Sequence, residues 1–140
     1  MRSFTTTNSR IVNVLQNTVE ISKASILNSN KNDNKKCQFI ATWDTGATHT
    51  MISQNVVDKC GLIPTGIVQV GTAGGIVEAN TYIIDLVLPD NMLVQNLNVT
   101  CGKLNGTDVL VGMDIIQKGD FAVSNYNSQT KFTFRIPSLE

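Results

Sequence analysis

Runs of β-branched and aromatic residues alternating with polar ones recur from one end of this chain to the other. A period of two commits such segments to strands with one face buried. Arg10–Leu15 and Thr18–Ile21 read as short strands near the start, and Gln38–Trp43 as a third. Val68–Val70, a long run from Ile76 to Leu88, Met92–Val99 and Asp108–Val111 continue the pattern. Phe121–Asn125 and Lys131–Ile136 read as a closing hairpin turned at Asn127-Ser128. Gly71-Thr72-Ala73-Gly74-Gly75 lies between two strands and fits a hairpin tip, while Pro89-Asp90-Asn91 reads as a turn. Helical signals are few. Ser53 stands where an N-cap would, Val56, Val57 and Cys60 share a face, and Gly61 ends the segment. Met113–Lys118 has room for a turn or two. The polar stretch Asn28–Lys36 has no apolar anchor and reads as a surface loop. The expectation is one mainly β domain over residues 1–140, with residues 1–37 supplying its N-terminal strands and that loop.

Composition narrows what such a domain does. Of 140 residues, 41% are hydrophobic, enough for a core, and 11 basic residues balance 11 acidic ones. A nucleic-acid binder needs a basic surplus, and a disordered chain goes with high net charge and low hydrophobicity, so both classes are excluded. No apolar run approaches the length of a membrane span, and the first residues show no secretory apolar region. Cys37, Cys60 and Cys101 are widely spaced, with no C-x-x-C pair and a single histidine, His49. That set builds no usual zinc site and points to reduced thiols in a cytoplasmic protein, without metal or cofactor.

The chemistry resides in Phe39-Ile40-Ala41-Thr42-Trp43-Asp44-Thr45-Gly46-Ala47-Thr48. An acid stands where an apolar strand stops, and Gly46 lets the backbone turn so that main-chain N–H groups face it. Burial raises a carboxyl pKa and hydrogen bonds to the anion lower it, so such a position is tunable. Further along, Asp108-Val109-Leu110-Val111-Gly112 is a second apolar strand ending in glycine, with the glycine-tipped hairpin between the two. The glycines of that tip are no phosphate loop, because no Lys-Ser/Thr follows and both flanks are strands.

From about Gln38 to Ile136 this order resembles the retropepsin-like aspartic proteases, and in particular their bacterial stand-alone members, on account of Gly112-Met113-Asp114-Ile115-Ile116. The resemblance implies an all-β, closed barrel-like acid-protease fold with one or two short helices. It implies that Asp44 is the catalytic aspartate and that the Thr45 hydroxyl reaches the partner's loop. The Gly46 carbonyl would receive a substrate N–H, with Ala47 completing the loop. Gly71, Thr72, Ala73, Gly74 and Gly75 would form a flap, Leu110, Val111 and Gly112 the supporting strand, and His49 would line the cleft. Retroviral members usually carry an arginine after the second motif, paired with an acid just beyond D-T-G-A. Met113 and Thr48 stand there instead, so that ion pair is absent.

The reaction of this class needs two carboxyls sharing a proton. This chain has one Asp-Thr-Gly, since Asp33, Asp58, Asp85, Asp90, Asp108, Asp114 and Asp120 lack the sequel. A two-fold homodimer would supply the second copy. The expected activity is therefore aspartic endopeptidase on extended peptide, with no nucleic-acid or membrane partner. The alternative is a non-catalytic module of the same fold that binds peptide or mediates dimerisation; the intact Asp44-Thr45-Gly46 favours the enzyme.

Overall fold

The computed structural model describes residues 1–27 and 35–139. Six strands close on themselves. Strands β2 (Gln16–Lys23) and β3 (Cys37–Trp43) are antiparallel. Strand β3 runs parallel to β8 (Val109–Val111), which pairs antiparallel with the two-residue β4 (Met51–Ile52). Parallel pairing of β4 with β7 (Met92–Cys101) and antiparallel pairing of β7 with β6 (Gly75–Leu88) continue the ring. Glu20↔Val87 through Lys23↔Ile84 then join β6 back to β2. The closed barrel expected from the resemblance is present. Each ring strand thus has a partner on both sides, and β5 (Gly66–Thr72) pairs with the outlying half of β6 as a projecting hairpin.

Alternation sets which side chains fill the barrel. In β3, Phe39, Ala41 and Trp43 are buried while Gln38 and Ile40 are exposed, the period of two read from the sequence. The second half of β6 is buried on both faces, from Leu86 to Leu88. Between Ile84 and Leu86 its register shifts, and buried Asp85 occupies the bulge. Its two oxygens accept from the N–H groups of Asn96 (2.9 Å) and Ser25 (3.2 Å), so this acid holds backbone in place.

A second sheet lies against the barrel, in the order β1 (Arg2–Thr7), β10 (Lys131–Ile136), β9 (Asp120–Ser124), all antiparallel. Phe4, Phe132 and Phe134 project from it into one core shared with the barrel. Trp43 is at the centre of that contact. Its ring stacks on Phe121 at 5.4 Å and lies 5.2 Å from Phe134, while its indole N–H donates to Asn17 Oδ1 at 2.9 Å. Aromatic pairs of this kind contribute about 1 kcal/mol each beyond their buried area.

Helix α1 (Gln54–Cys60) buries Val56, Val57 and Cys60 and ends at Gly61, whose φ of +62° is the left-handed turn glycine allows. Ser53 is extended, as an N-cap is, but its hydroxyl donates to Asp108 Oδ1 (2.8 Å) rather than capping the helix. Helix α2 (Met113–Ile116) is a single turn. No helix among the described residues is long and apolar enough to cross a membrane.

One expected strand is corrected. Arg10–Leu15 is not a strand; its backbone is held by scattered bonds, Val12 N–H to Thr130 Oγ1 (3.0 Å) and Trp43 N–H to the Leu15 carbonyl (2.9 Å). Ile11 and Val14 remain half-exposed there, so its alternation does not mark a buried face. The strand at this end is β1, which carries one buried apolar residue, Phe4, and owes its form to its ladder with β10. Of the expected polar loop, residues 28–34 lie outside the described residues, and Lys35 and Lys36 are exposed and outside any strand.

Candidate functional site

Asp44 follows β3 directly, and the parallel neighbour β8 takes up its backbone: Asp44 N–H donates to the Val111 carbonyl at 2.9 Å. The chain then turns, with Ala47 N–H donating to the Asp44 carbonyl (3.1 Å) and Gly46 N–H to the Asp44 carboxylate oxygen Oδ1 (2.8 Å). Asp44 and Ala47 are half-buried, while Thr45, Gly46, Thr48 and His49 are exposed. One carboxylate oxygen is thus fixed by the loop's own backbone, and the group faces outward from the end of the barrel. The Thr45 hydroxyl makes no hydrogen bond among the described residues.

The second motif lies directly beneath this loop. Thr42↔Leu110 and Trp43↔Val111 are register partners, and Met113 N–H donates to the Ala47 carbonyl at 2.8 Å. Gly112 is required by the approach. A Cβ there would fall 2.8 Å from the Ala47 carbonyl oxygen and 2.8 Å from the His49 carbonyl carbon, both backbone atoms that cannot swing away. Leu110, Val111 and Gly112 therefore lie directly against the end of β3 and the loop that follows it. His49 contributes its carbonyl to that packing, and its side chain is exposed.

Two residues complete the support, and only one was singled out from sequence. Thr50 is fully buried. Its hydroxyl donates to Asp114 Oδ1 (2.7 Å) and accepts from Gly112 N–H (3.2 Å), while its own N–H donates to Asp114 Oδ2 (3.0 Å). Asp114 also accepts from Ile115 N–H at 3.0 Å, as expected of an acid in a first helical turn. Its larger part is to hold the far end of the loop, through its two hydrogen bonds with Thr50. The available signal was a threonine shortly after D-T-G-A matched by an acid shortly after Gly112.

Gly71–Gly75 form the tip of the projecting hairpin, with Thr72 paired to Gly75 and the Thr72 hydroxyl donating to the Gly75 carbonyl at 2.7 Å. No hydrogen bond among the described residues ties this tip to the Asp44 loop. Ile67, Val68, Ile76 and Val77 on the hairpin are exposed. Beside the acid lies an open hollow of about 370 Å³, lined by Val14, Leu15, Trp43, Asp44, Thr45 and Val123 among others. Among the described residues, no group of three or more metal-ligating side chains assembles.

Comparison with known proteins agrees with this arrangement. The model of the family described as "gag-polyprotein putative aspartyl protease" matches residues 27–118. No curated protein matches the sequence. Among solved structures, a retropepsin-like aspartic protease from Rickettsia conorii superposes with a TM-score of 0.58 at 14% identity, covering 96% of this chain and 94% of that one. The EIAV protease, complexed with the inhibitor HBY-793, gives a TM-score of 0.51 at 16% identity, covering 74% of this chain and 86% of that one. At such identities the likeness is one of fold.

Proposed function

The chain belongs to the gag-polyprotein aspartyl protease family, and from that premise we propose that it is an aspartic endopeptidase, acting as one domain, whose active form is a homodimer with one Asp44 from each copy. The observation that carries this is the Asp44 loop itself. Its carboxylate is held by Gly46 N–H and presented outward, on a platform made by Gly112 and Met113.

The dimer reading has two further supports. The exposed Thr45 hydroxyl is unengaged among the described residues and can bond across a two-fold axis. Among the described residues strand β9 pairs with β10 alone, leaving its other edge open, and its Val123 borders the same hollow as Asp44. A second copy approaching along this edge meets the acid and unpaired backbone together.

In the assembled pair one carboxyl is ionised and the other protonated, because two adjacent charges repel. The ionised Asp44 takes a proton from a water as its oxygen attacks the scissile carbonyl, and the protonated partner hydrogen-bonds the oxygen on which charge develops. Collapse of the tetrahedral species breaks the C–N bond, with a carboxyl proton passing to the leaving amine. The exposed hairpin tip Gly71–Gly75 closes over an extended peptide, the Gly46 carbonyl receives a substrate N–H, and His49 borders the cleft.

Incubation with a mixed peptide library, followed by mass spectrometry, tests this. Cleavage blocked by a statine-type transition-state mimic is the expected result. A demonstrated dimer that cleaves nothing from acid to neutral pH would instead be a peptide-binding module working by strand addition.

A further inference from the structure

Cys37 opens β3 and Cys60 closes α1, so the two cysteines bracket the Asp44 loop in the chain. In space they meet. Cys37 is the register partner of Ile21, and the Cys60 sulfur lies 3.7 Å from the carbonyl oxygen of that same Ile21. The Cys37 sulfur lies 3.9 Å from the carbonyl oxygen of Lys59, the residue before Cys60. The thiols are direct neighbours, Cys37 being both a hydrogen-bond partner and a charge neighbour of Cys60. Their exposure differs. Cys60 is buried, and burial first, then Cys37, pushes its thiol up to about 12. Cys37 is partly exposed, so a reagent in solution reaches it first.

We propose that Cys37 and Cys60 are a disulfide-forming pair, with Cys37 the thiol that a small-molecule disulfide attacks and Cys60 the one that resolves it. With oxidised glutathione as oxidant, the Cys37 thiolate attacks one glutathione sulfur. A Cys37–glutathione bond forms, the glutathione S–S bond breaks, and the thiolate released takes up the proton that Cys37 lost. Cys60 then gives its proton to solvent and attacks the Cys37 sulfur, forming the Cys37–Cys60 bond and releasing the second glutathione. Two protein thiols are oxidised while one glutathione disulfide is reduced to two thiols. With the Cys37 charge removed in the mixed disulfide, one of the forces holding Cys60 protonated is gone.

The bond closes a loop containing β3, the Asp44 turn, Thr50 and α1. A cross-link of this span acts chiefly by removing freedom from the unfolded chain, so the melting temperature rises by about 10 °C while the folded site is unchanged. Cys101 is the internal control, since its sulfur lies 3.7 Å from Gln54 Oε1 and it has no cysteine partner.

The test incubates the full chain with oxidised glutathione or with a dithiol reductant, then alkylates, maps peptides by mass spectrometry and records thermal unfolding. The expected result is a Cys37–Cys60 cross-linked peptide, an alkylated Cys101, and a melting point raised by about 10 °C that returns on reduction. Cys37→Ala, checked as folded by its melt under reductant, is expected to abolish both cross-link and rise. A chain that retains glutathione on Cys37, links Cys101, or melts at one temperature under both conditions overturns the proposal.

Discussion

Thr50 shows how much of the Asp44 loop rests on a buried side chain behind it. Thr50→Val keeps the shape but removes the hydroxyl, leaving Gly112 N–H without its acceptor and Asp114 Oδ1 with only the Ile115 N–H of its two donors. Each buried group left unpaired costs about 1–3 kcal/mol. The expected outcome is a loss of about 2 kcal/mol in denaturant unfolding together with a fall in kcat/KM, and near-complete recovery of both in Thr50→Ser. Equal effects of Val and Ser would show that the hydroxyl is not what holds the loop. At this scale Asp44, Gly46 and Gly112 were legible in the sequence because their chemistry is tied to short strings. Thr50 was not, because its importance comes from a contact with Asp114 that only the folded chain creates.

Among elements, the projecting hairpin and the C-terminal tail make contrasting predictions. Gly75 holds φ +120°, a conformation strained for any L side chain, at a tip with nothing packed on it. Gly75→Ala is therefore expected to lower kcat/KM several-fold while the melting temperature changes little, since this hairpin contributes almost nothing to the core. Loss of stability equal to the loss of activity would place the tip in the folding unit instead. The tail is clasped by Asp120, whose carboxylate accepts from Leu139 N–H (2.9 Å), the Ser138 hydroxyl and Arg135 Nε (2.8 Å). Those donors, Leu139 first, hold its pKa at about 2 rather than the usual 3.8. A carboxyl lowered on folding stabilises above its unfolded pKa and loses that contribution as pH falls towards the folded value. The stability gap between the native chain and Asp120→Asn is thus expected to be full at neutral pH and to close between about pH 4 and pH 2, read from urea midpoints. A gap constant over that range would rule the clasp out. The barrel strands were legible because burial on one face imposes a period of two. The first strand was misplaced because β1 has a single apolar residue and is made by its partner, whereas Arg10–Leu15 carries the pattern with no ladder to join.

For the whole molecule, the question is whether one Asp44 suffices. Asp44→Asn retains shape and most hydrogen bonding, so the variant is expected to fold and pair normally. Mixing excess Asp44→Asn with the native chain under exchanging conditions then traps native chains beside an amide. Activity is expected to fall well below the value set by dilution, on the time course of subunit exchange measured by fluorescence transfer. Activity undiminished after complete exchange would overturn the shared dyad. The second sheet adds a consequence in time. Arg2 pairs with Ile136, so β1 emerges from the ribosome long before β10 exists to receive it. Pairings so distant along the chain are slow to form, and the sheet that seats Phe4 beside Trp43 closes only after β10 has been made. A newborn chain therefore passes through an interval in which its barrel strands are available but the layer that covers them is missing.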